Sequence, residues 1–530
     1  MIKAPRGTRD LLPPDTALWN HIESIVRDVF RAYNFHEIRT PIFEATELFA
    51  RGVGEETDIV SKEMYTWWDT LSNEKSIIAA WFEKHRQELV TTHGLPSLQS
   101  GRPDLIVETE NEIVAIEAKF RPDRNTLLRL YQFSKQAQDW LRPNGPKLRL
   151  VVVAPSDAPL DDWFRESAKN QGIDVETVDI DYPQSLTLRP EATAGIVRAY
   201  IEHKLWDRGL NKLYCIGPMF RRERPQKGRY RQFYQIDAEV IGPASSGSDS
   251  PARDAEILEM LATLLDRLDI TDWNLELNSV GTPTDRLKFN EALRAALDPV
   301  KEKMCADCQR RAVTNPLRVF DCKVPEDQPI IDTLPRISQF LGEDSRQHFE
   351  AVQQILRAVG VDFHINDRLV RGLDYYTRTA FEFTHGALGA QNAILGGGRY
   401  DGLSEALGGP AAPGIGFAIG EDRLVLTLQE KTPAETIVRK PNVYIAPMAG
   451  MNIEAARLSR ELRRKGLIVE LGDENFRLKK SFEAAAKAGA KYILIVGENE
   501  IKAQAFALKN LATGEQVSVP RADLAKEIKA

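Results

Sequence analysis

The sequence predicts a multidomain protein of mixed α and β structure, in which one α/β module interrupts a larger body and a second closes the chain. Three observations carry this expectation. The 530 residues correspond to about three or four domains of ordinary size. Residues 67–184 hold their own succession of elements, in the order αββαβαβ, unlike what precedes or follows. After a break near residues 430–441, apolar strand segments alternate with amphipathic helices as β-α-β-α-β, the pattern of a three-layer α/β domain.

Taken in order, residues 15–33 place Leu18, Ile22, Ile25, Val26, Val29 and Phe30 at helical spacing behind a Pro13-Pro14-Asp15 start. Residues 35–43 read as a strand closed by Pro41, and 64–66 begin another. Within the insert the pattern predicts a helix over 72–90, strands over 104–109 and 112–119 turned by Glu110-Asn111, and a helix over 125–141. A largely apolar run over 148–154, interrupted only by Arg149, reads as a strand buried on both faces, followed by a helix over 160–171 and a strand over 174–180. The body resumes with a strand at 186–188, a helix through Leu205, strands near 212–217 and 233–241, helices near 254–268 and 286–297, and a helix-rich stretch to 358. Strands over 368–383 and 415–419 then lead into a helix from Asp422. The expected domain limits are 1–66 and 185–430 for the body, with a helical insertion around 285–360, then 67–184 for the insert and 438–530 for the last domain.

Composition excludes several classes. With 42% hydrophobic and 28% charged residues, the chain matches ordinary globular proteins rather than disordered or fibrous ones. Lys+Arg 70 against Asp+Glu 77 leaves −7, which argues against wholesale coating of nucleic acid but allows a local basic groove. Four cysteines cannot form a disulfide framework, the first residues lack the apolar run of a signal peptide, and no stretch suits a membrane span. A cytoplasmic location is expected.

Two segments carry the chemistry. Residues 221–231 place six cations in eleven residues between two apolar strands, with Arg221 at the strand junction, where a guanidinium can clamp a phosphate in a fixed position. Residues 414–423 are a Gly-rich strand entering a helix with Arg423 in its first turn. Together these resemble motifs 2 and 3 of class II aminoacyl-tRNA synthetases. Arg6-Gly7-Thr8-Arg9-Asp10, the run from Thr187 to Thr193, the whole of 220–233, Arg371-Gly372-Leu373-Asp374-Tyr375-Tyr376 and Gly396-Gly397-Gly398-Arg399-Tyr400-Asp401 narrow the resemblance to the histidyl-tRNA synthetase family. It covers residues 1–66 and about 185–530.

The resemblance implies an α+β class II catalytic core with an antiparallel sheet, a C-terminal anticodon-binding domain, and a homodimer that charges tRNA-His. Carried over residue by residue, Glu191, Thr193 and Gln235 hold the α-amino group of histidine. Glu239 and Tyr376 read the imidazole, whose two nitrogens need a matched donor and acceptor, and Tyr375 and Tyr400 line the pocket. Arg221 binds the α-phosphate of ATP, Arg229 the polyphosphate and Arg423 the γ-phosphate, with Mg2+ neutralising the leaving pyrophosphate. Arg371 stabilises the transition state of the adenylation step. Asp237 departs from the pattern, standing where a small residue such as glycine is expected. The alternative is a non-charging regulatory paralogue that senses histidine.

The insert resembles PD-(D/E)xK nucleases. Asp104 opens one strand, and Glu117 and Lys119 share a face of the next, the set in which two carboxylates hold a divalent ion such as Mg2+ and a lysine attends the attacking water. Glu83 or Glu88 upstream and Gln132 or Gln136 on the following helix are candidates to complete it. The insert is read as a metal-dependent nuclease or as a nucleic-acid-binding relic. Finally, Cys305-x2-Cys308 and Cys322 offer three thiolates with no fourth ligand close by in sequence, so no zinc is expected.

Overall fold

The computed structural model describes residues 2–54, 57–68, 73–85, 89–92, 103–109, 112–119, 122–137, 147–156, 158, 160–179, 185–224, 228–373, 375–386, 392–429, 433 and 437–529. The chain divides into two compact units, one of 1–9 and 27–427, the other of 10–26 and 428–530. No described helix is long and apolar enough to cross a membrane.

The main sheet of the first unit has eight described strands. Its centre is a continuous antiparallel run: Lys212–Phe220, Gln232–Ile241, Gly414–Gly420, Ala393–Arg399, Thr377–His385 and Trp273–Ser279. The short strands His36–Glu37 and His364–Ile365 add parallel edges. Pro41 limits the first of these, so the strand expected over 35–43 is instead two short pieces in different sheets, His36–Glu37 and Phe43–Ala45. The glycines at 396–398 and 416 serve close packing rather than turning. A Cβ on Gly397 would lie 2.1 Å from the Gly416 carbonyl oxygen, so these two strands approach only as glycine.

The helix Pro251–Arg267 is tied to the sheet by a buried ion pair. Arg399 and Asp254 are fully buried, with Arg399 Nη2 2.6 Å from Asp254 Oδ1. Asp254 also meets His348 Nε2 at 2.8 Å and accepts the Thr379 hydroxyl at 2.6 Å, while Arg399 reaches Asp401 at 2.7 Å and the Ser248 carbonyl at 2.7 Å. This completeness is what makes burying both charges tolerable. The arginine of the Gly-rich signature is therefore a structural clamp.

The segment expected to be an insert leaves and rejoins the body through two strands that pair with each other, Tyr65–Trp68 and Ser185–Leu188, with Trp68 opposite Ser185. Its ends thus emerge side by side, which lets a folded module enter without parting the sheet. The described residues of the module form a five-stranded mixed sheet in the order Leu89–Thr92, Leu105–Thr109, Glu112–Ala118, Lys147–Pro155, Ile173–Val178. The first of these replaces the end of the helix predicted over 72–90, which stops at His85, and the β-branched Val90-Thr91-Thr92 favour extension. Alternate residues of the apolar run explain its burial on both sides. Leu150 and Val152 pack with Leu127, Leu130 and Phe133, whereas Val151 and Val153 pack with Ile77 and Trp81.

In the second unit, Val469–Leu471, Val443–Pro447 and Tyr492–Val496 are parallel, and Ala505–Asn510 and Gln516–Pro520 extend the sheet antiparallel. Val443 and Ile445 pack beneath Leu458 and Leu462 of the helix Asn452–Arg464, and Tyr444 and Ala446 pack with Ala485 of Leu478–Lys487 on the other face. Three layers result.

Candidate active site

The register of the central strands sets the site. Gln235, Asp237 and Glu239 alternate along Gln232–Ile241 and so share one face. They line a cavity of about 280 Å3 together with Glu191, Thr193, Tyr375, Tyr376 and Tyr400 at one end and Arg221, Arg229, Arg371 and Arg423 at the other. Gly416 lies opposite Glu239, and a Cβ there would be 1.6 Å from Glu239 Oε2. The glycine is the space in which that carboxylate sits.

Glu239 is held from two sides. The hydroxyl of Thr193 donates to Oε1 and that of Tyr400 to Oε2, each at 2.6 Å. Burial outweighs these donors and pushes its carboxyl up to about 8. Glu191 caps the helix Thr193–Glu202 from inside, accepting the amides of Thr193 at 2.8 Å and Ala194 at 2.9 Å. Burial also raises its carboxyl, against those amides. The rings of Tyr375 and Tyr376 stand 4.7 Å apart, and Tyr375 meets Tyr400 edge-on at 5.7 Å. Gln235 Oε1 and both oxygens of Asp237 are buried without a hydrogen-bond partner. Burial, then Glu239 and Glu191, push the Asp237 carboxyl well above the usual range.

At the cationic end, Arg221 is aimed by a hydrogen bond from Nε to the Pro190 carbonyl at 2.9 Å and lies 5.2 Å over the Phe233 ring. Arg423 donates to the Ala393 carbonyl at 2.8 Å, and Arg229 pairs with Glu223 at 3.2 Å. Arg371 pairs with Glu382 at 2.8 Å, while its own carbonyl accepts Arg318 Nη1 at 2.9 Å. Arg318 comes from the helical insertion, from the turn Pro316–Asp321. Asp422 accepts the Tyr234 amide at 3.0 Å and pairs with Arg9, which stacks over Tyr230 at 4.2 Å. All the residues assigned to histidine and ATP from the sequence thus line one cavity. Pro225, Gln226, Lys227 and Asp374 lie outside the described residues. Glu382 and Arg318 were not foreseen. Strand alternation over Thr377–His385 offered a weak signal for the first, whereas Arg318 meets Arg371 across 53 residues with no local cue.

The insert brings its three predicted residues together. Lys119 Nζ is 3.6 Å from Asp104 and 3.7 Å from the fully buried Glu117, and Asp104 also accepts the Ala118 amide at 2.9 Å. From the helix Arg124–Ala137 it is Arg129 that reaches Glu117, at 3.2 Å. Gln132 and Glu83 are exposed, and Arg102, Glu88 and the side chain of Gln136 lie outside the described residues. The cysteines require a correction. Folding brings Asp327 to Cys305, Cys308 and Cys322 as a fourth candidate ligand, with all four donor atoms within 4.8 Å of one another.

An antiparallel sheet carrying a motif 2 arginine on one strand pair and a motif 3 arginine at the start of the next helix defines the catalytic core of a class II aminoacyl-tRNA synthetase. Comparison with known proteins narrows the class. Residues 153–424 match the histidyl-tRNA synthetase family and residues 442–530 the anticodon-binding domain family. A histidine–tRNA ligase of Koribacter versatilis is 55% identical over 99% of this chain and 95% of its own length, and one of Solibacter usitatus is 45% identical over 100% and 99%. The apo histidyl-tRNA synthetase of S. aureus superposes with a TM-score of 0.64 at 29% identity over the full length of both chains. That of Nostoc sp. PCC 7120, at 20% identity and a TM-score of 0.57 over 100% and 99% of the two chains, shares the fold. The chain belongs to the histidyl-tRNA synthetase family.

Proposed function

We infer that the protein is an ATP-dependent histidine–tRNA ligase, forming histidyl-adenylate and pyrophosphate and then passing histidine to the 3′ end of tRNA-His. The observation that carries this reading is a single cavity lined by Glu191, Thr193, Gln235, Glu239 and three tyrosines together with four arginines. Glu191, Thr193 and Gln235 receive the α-ammonium, which needs acceptors fixed in direction. Glu239 and Tyr376 read the imidazole. The rigid anchoring of Glu239 by Thr193 and Tyr400 supports this role, because a site built to match a ring N–H rejects side chains lacking it.

The histidine carboxylate is already ionised, so adenylation requires no general base and rests on positioning and charge stabilisation. Arg221 orients the α-phosphate, Arg371 stabilises the charge that builds on it, and Arg229 and Arg423 take the leaving polyphosphate. Bound magnesium supplies charge neutralisation on that polyphosphate. Glu223 and Glu382, the cavity carboxylates beside these arginines, suit it as oxygen donors. The retained arginines and the C-terminal domain argue against a non-charging regulatory paralogue. The family reading also carries a homodimer and a cytoplasmic location, the first checked by sedimentation.

For the insert, the convergence of Asp104, Glu117 and Lys119 supports the PD-(D/E)xK reading of its ancestry. Arg129 pairs with Glu117, so a divalent cation there has to displace it just as magnesium in the main cavity has to displace Arg229 and Arg371, and we take the relic as the reading to test. Both readings are tested by incubating the full chain with tRNA-His, histidine, ATP and magnesium and resolving the labelled tRNA on an acid gel. Charged, full-length tRNA is expected, equally with Lys119→Ala. An unaltered band overturns the ligase reading, and shortened tRNA that disappears with Lys119→Ala overturns the relic.

A further inference from the structure

Outside the catalytic cavity, the described residues hold one cluster of three or more potential metal ligands within 4.8 Å: Cys305, Cys308, Cys322 and Asp327. We propose that these four side chains bind a structural zinc ion. The spacings suit it. Zinc bonds of about 2.3 Å to sulfur and about 2.0 to 2.2 Å to carboxylate oxygen, arranged tetrahedrally, place sulfurs about 3.8 Å apart and sulfur and oxygen about 3.5 Å apart. Cys305 Sγ and Cys322 Sγ are separated by 3.9 Å, and Cys322 Sγ lies 3.2 Å from Asp327 Oδ2. A sulfur separation of that size is a non-bonded contact, and all three cysteines are free thiols.

The backbone is arranged around the ligands. Cys305 immediately precedes the helix Ala306–Thr314 and Cys308 lies in its first turn. Cys322 follows the turn Pro316–Asp321, and Asp327 closes the turn Pro325–Asp327. The Cys305 amide donates to both Asp327 oxygens at 3.0 and 3.2 Å, which orients the carboxylate, and the Val324 amide donates to Cys322 Sγ at 3.4 Å. Gln328 Nε2 secures the same loop through the Cys322 and Val324 carbonyls, each at 3.0 Å. Such outer contacts aim ligands at a metal. Cys308, Cys322 and Asp327 are buried, and no substrate-accessible fourth position is left because the carboxylate takes it. Three soft thiolates and a carboxylate in a closed tetrahedral set select zinc in a structural role.

The site has a consequence for catalysis. The segment between Cys308 and Cys322 carries Arg318, the side chain that holds the carbonyl of Arg371. The ion pins both ends of that segment and so fixes the loop from which Arg371 acts. Binding releases the three thiol protons, which couples occupancy to the folding of this subdomain.

The test uses the full-length enzyme purified without chelator from zinc-supplemented cells. Elemental analysis is expected to give about one zinc per chain, released by a thiol-specific mercurial. Cobalt exchanged into the same protein is expected to show thiolate-to-metal charge transfer with tetrahedral visible bands, a readout that needs no variant. Cys322→Ser is expected to lower zinc content at least fivefold, whereas Cys215→Ser, altering the cysteine on the strand Lys212–Phe220, leaves it unchanged. Zinc-free wild-type enzyme without a cobalt charge-transfer band overturns the site, and stoichiometric iron in place of zinc overturns its metal.

Discussion

Gly416→Ala is the sharpest test of the histidine pocket. The added Cβ falls 1.6 Å from Glu239 Oε2, so the carboxylate must retreat by about 1.8 Å or more to reach ordinary van der Waals separation. No retreat of that size preserves the two 2.6 Å hydrogen bonds from Thr193 and Tyr400. Hydrogen bonds to a neutral carboxyl contribute about 0.5 to 1.5 kcal/mol each. Losing both removes about 1 to 3 kcal/mol of pre-organisation, or about 5- to 150-fold in kcat/KM for histidine at about 1.36 kcal/mol per tenfold. The arginine end does not use these contacts, so KM for ATP is expected to stay within about threefold. Histidine-dependent pyrophosphate exchange measures both constants, and thermal unfolding shows whether the strand tolerates the methyl against the Ala238 carbonyl, 2.8 Å away. Gly402→Ala, just beyond the glycine-rich signature and with nothing within 4 Å of its Cβ, is the matched control and should behave as wild type. A folded Gly416→Ala enzyme with unchanged histidine KM would refute the placement of Glu239 in the pocket.

Two further outcomes follow from the same contacts. In the ligand-free enzyme, Glu239 keeps its proton up to about pH 8 while the unfolded chain releases it near the ordinary carboxyl value; the folded state therefore binds more protons between those limits, and stability falls as pH rises through them. Glu239→Gln removes this contribution, so its urea midpoint should decline less than that of the wild type between pH 5.5 and 8.5, and parallel declines would contradict the assignment. Arg318→Met removes the 2.9 Å hydrogen bond to the Arg371 carbonyl, a charged donor to a peptide oxygen; kcat for pyrophosphate exchange should drop about tenfold to a hundredfold with KM for histidine little changed, and an unaltered kcat would show that the loop is held by other contacts.

How much of this was legible in the sequence depends on the range of the interaction concerned. Periodicity exposed the helices and strands whose apolar residues lie on one face, and the double-sided burial of 150–154 was readable because no polar residue interrupts those five positions. Boundaries failed where a local breaker competed with pattern. Pro41 split an expected strand, and the helix expected through Leu205 ends at Glu202, since Lys204 adopts φ 46° before the turn Leu205–Arg208. The cavity residues were legible because they lie within contiguous motifs, in which strand alternation alone puts Gln235, Asp237 and Glu239 on one face.

What sequence spacing could not supply were partners brought in from other elements. Arg399 belongs to a glycine-rich signature that invites a ligand-binding role, yet its charge is met by Asp254, 145 residues away, in a fully buried pair. Asp327 sits only five residues beyond Cys322, but Cys-x2-Cys logic searches for another thiol or histidine and passes over a carboxylate. Asp237 is the converse case. Its identity signalled an extra charge near the pocket, and only burial shows that both oxygens lack partners while flanked by Glu191 and Glu239. Burial and the neighbouring Glu239 and Glu191 raise the Asp237 carboxyl well above the usual range, and it is the one of the three with no donor to offset that rise. Glu191 differs from it in being held by the Thr193 and Ala194 amides, which favour its ionised form and suit it to meet a cationic ammonium.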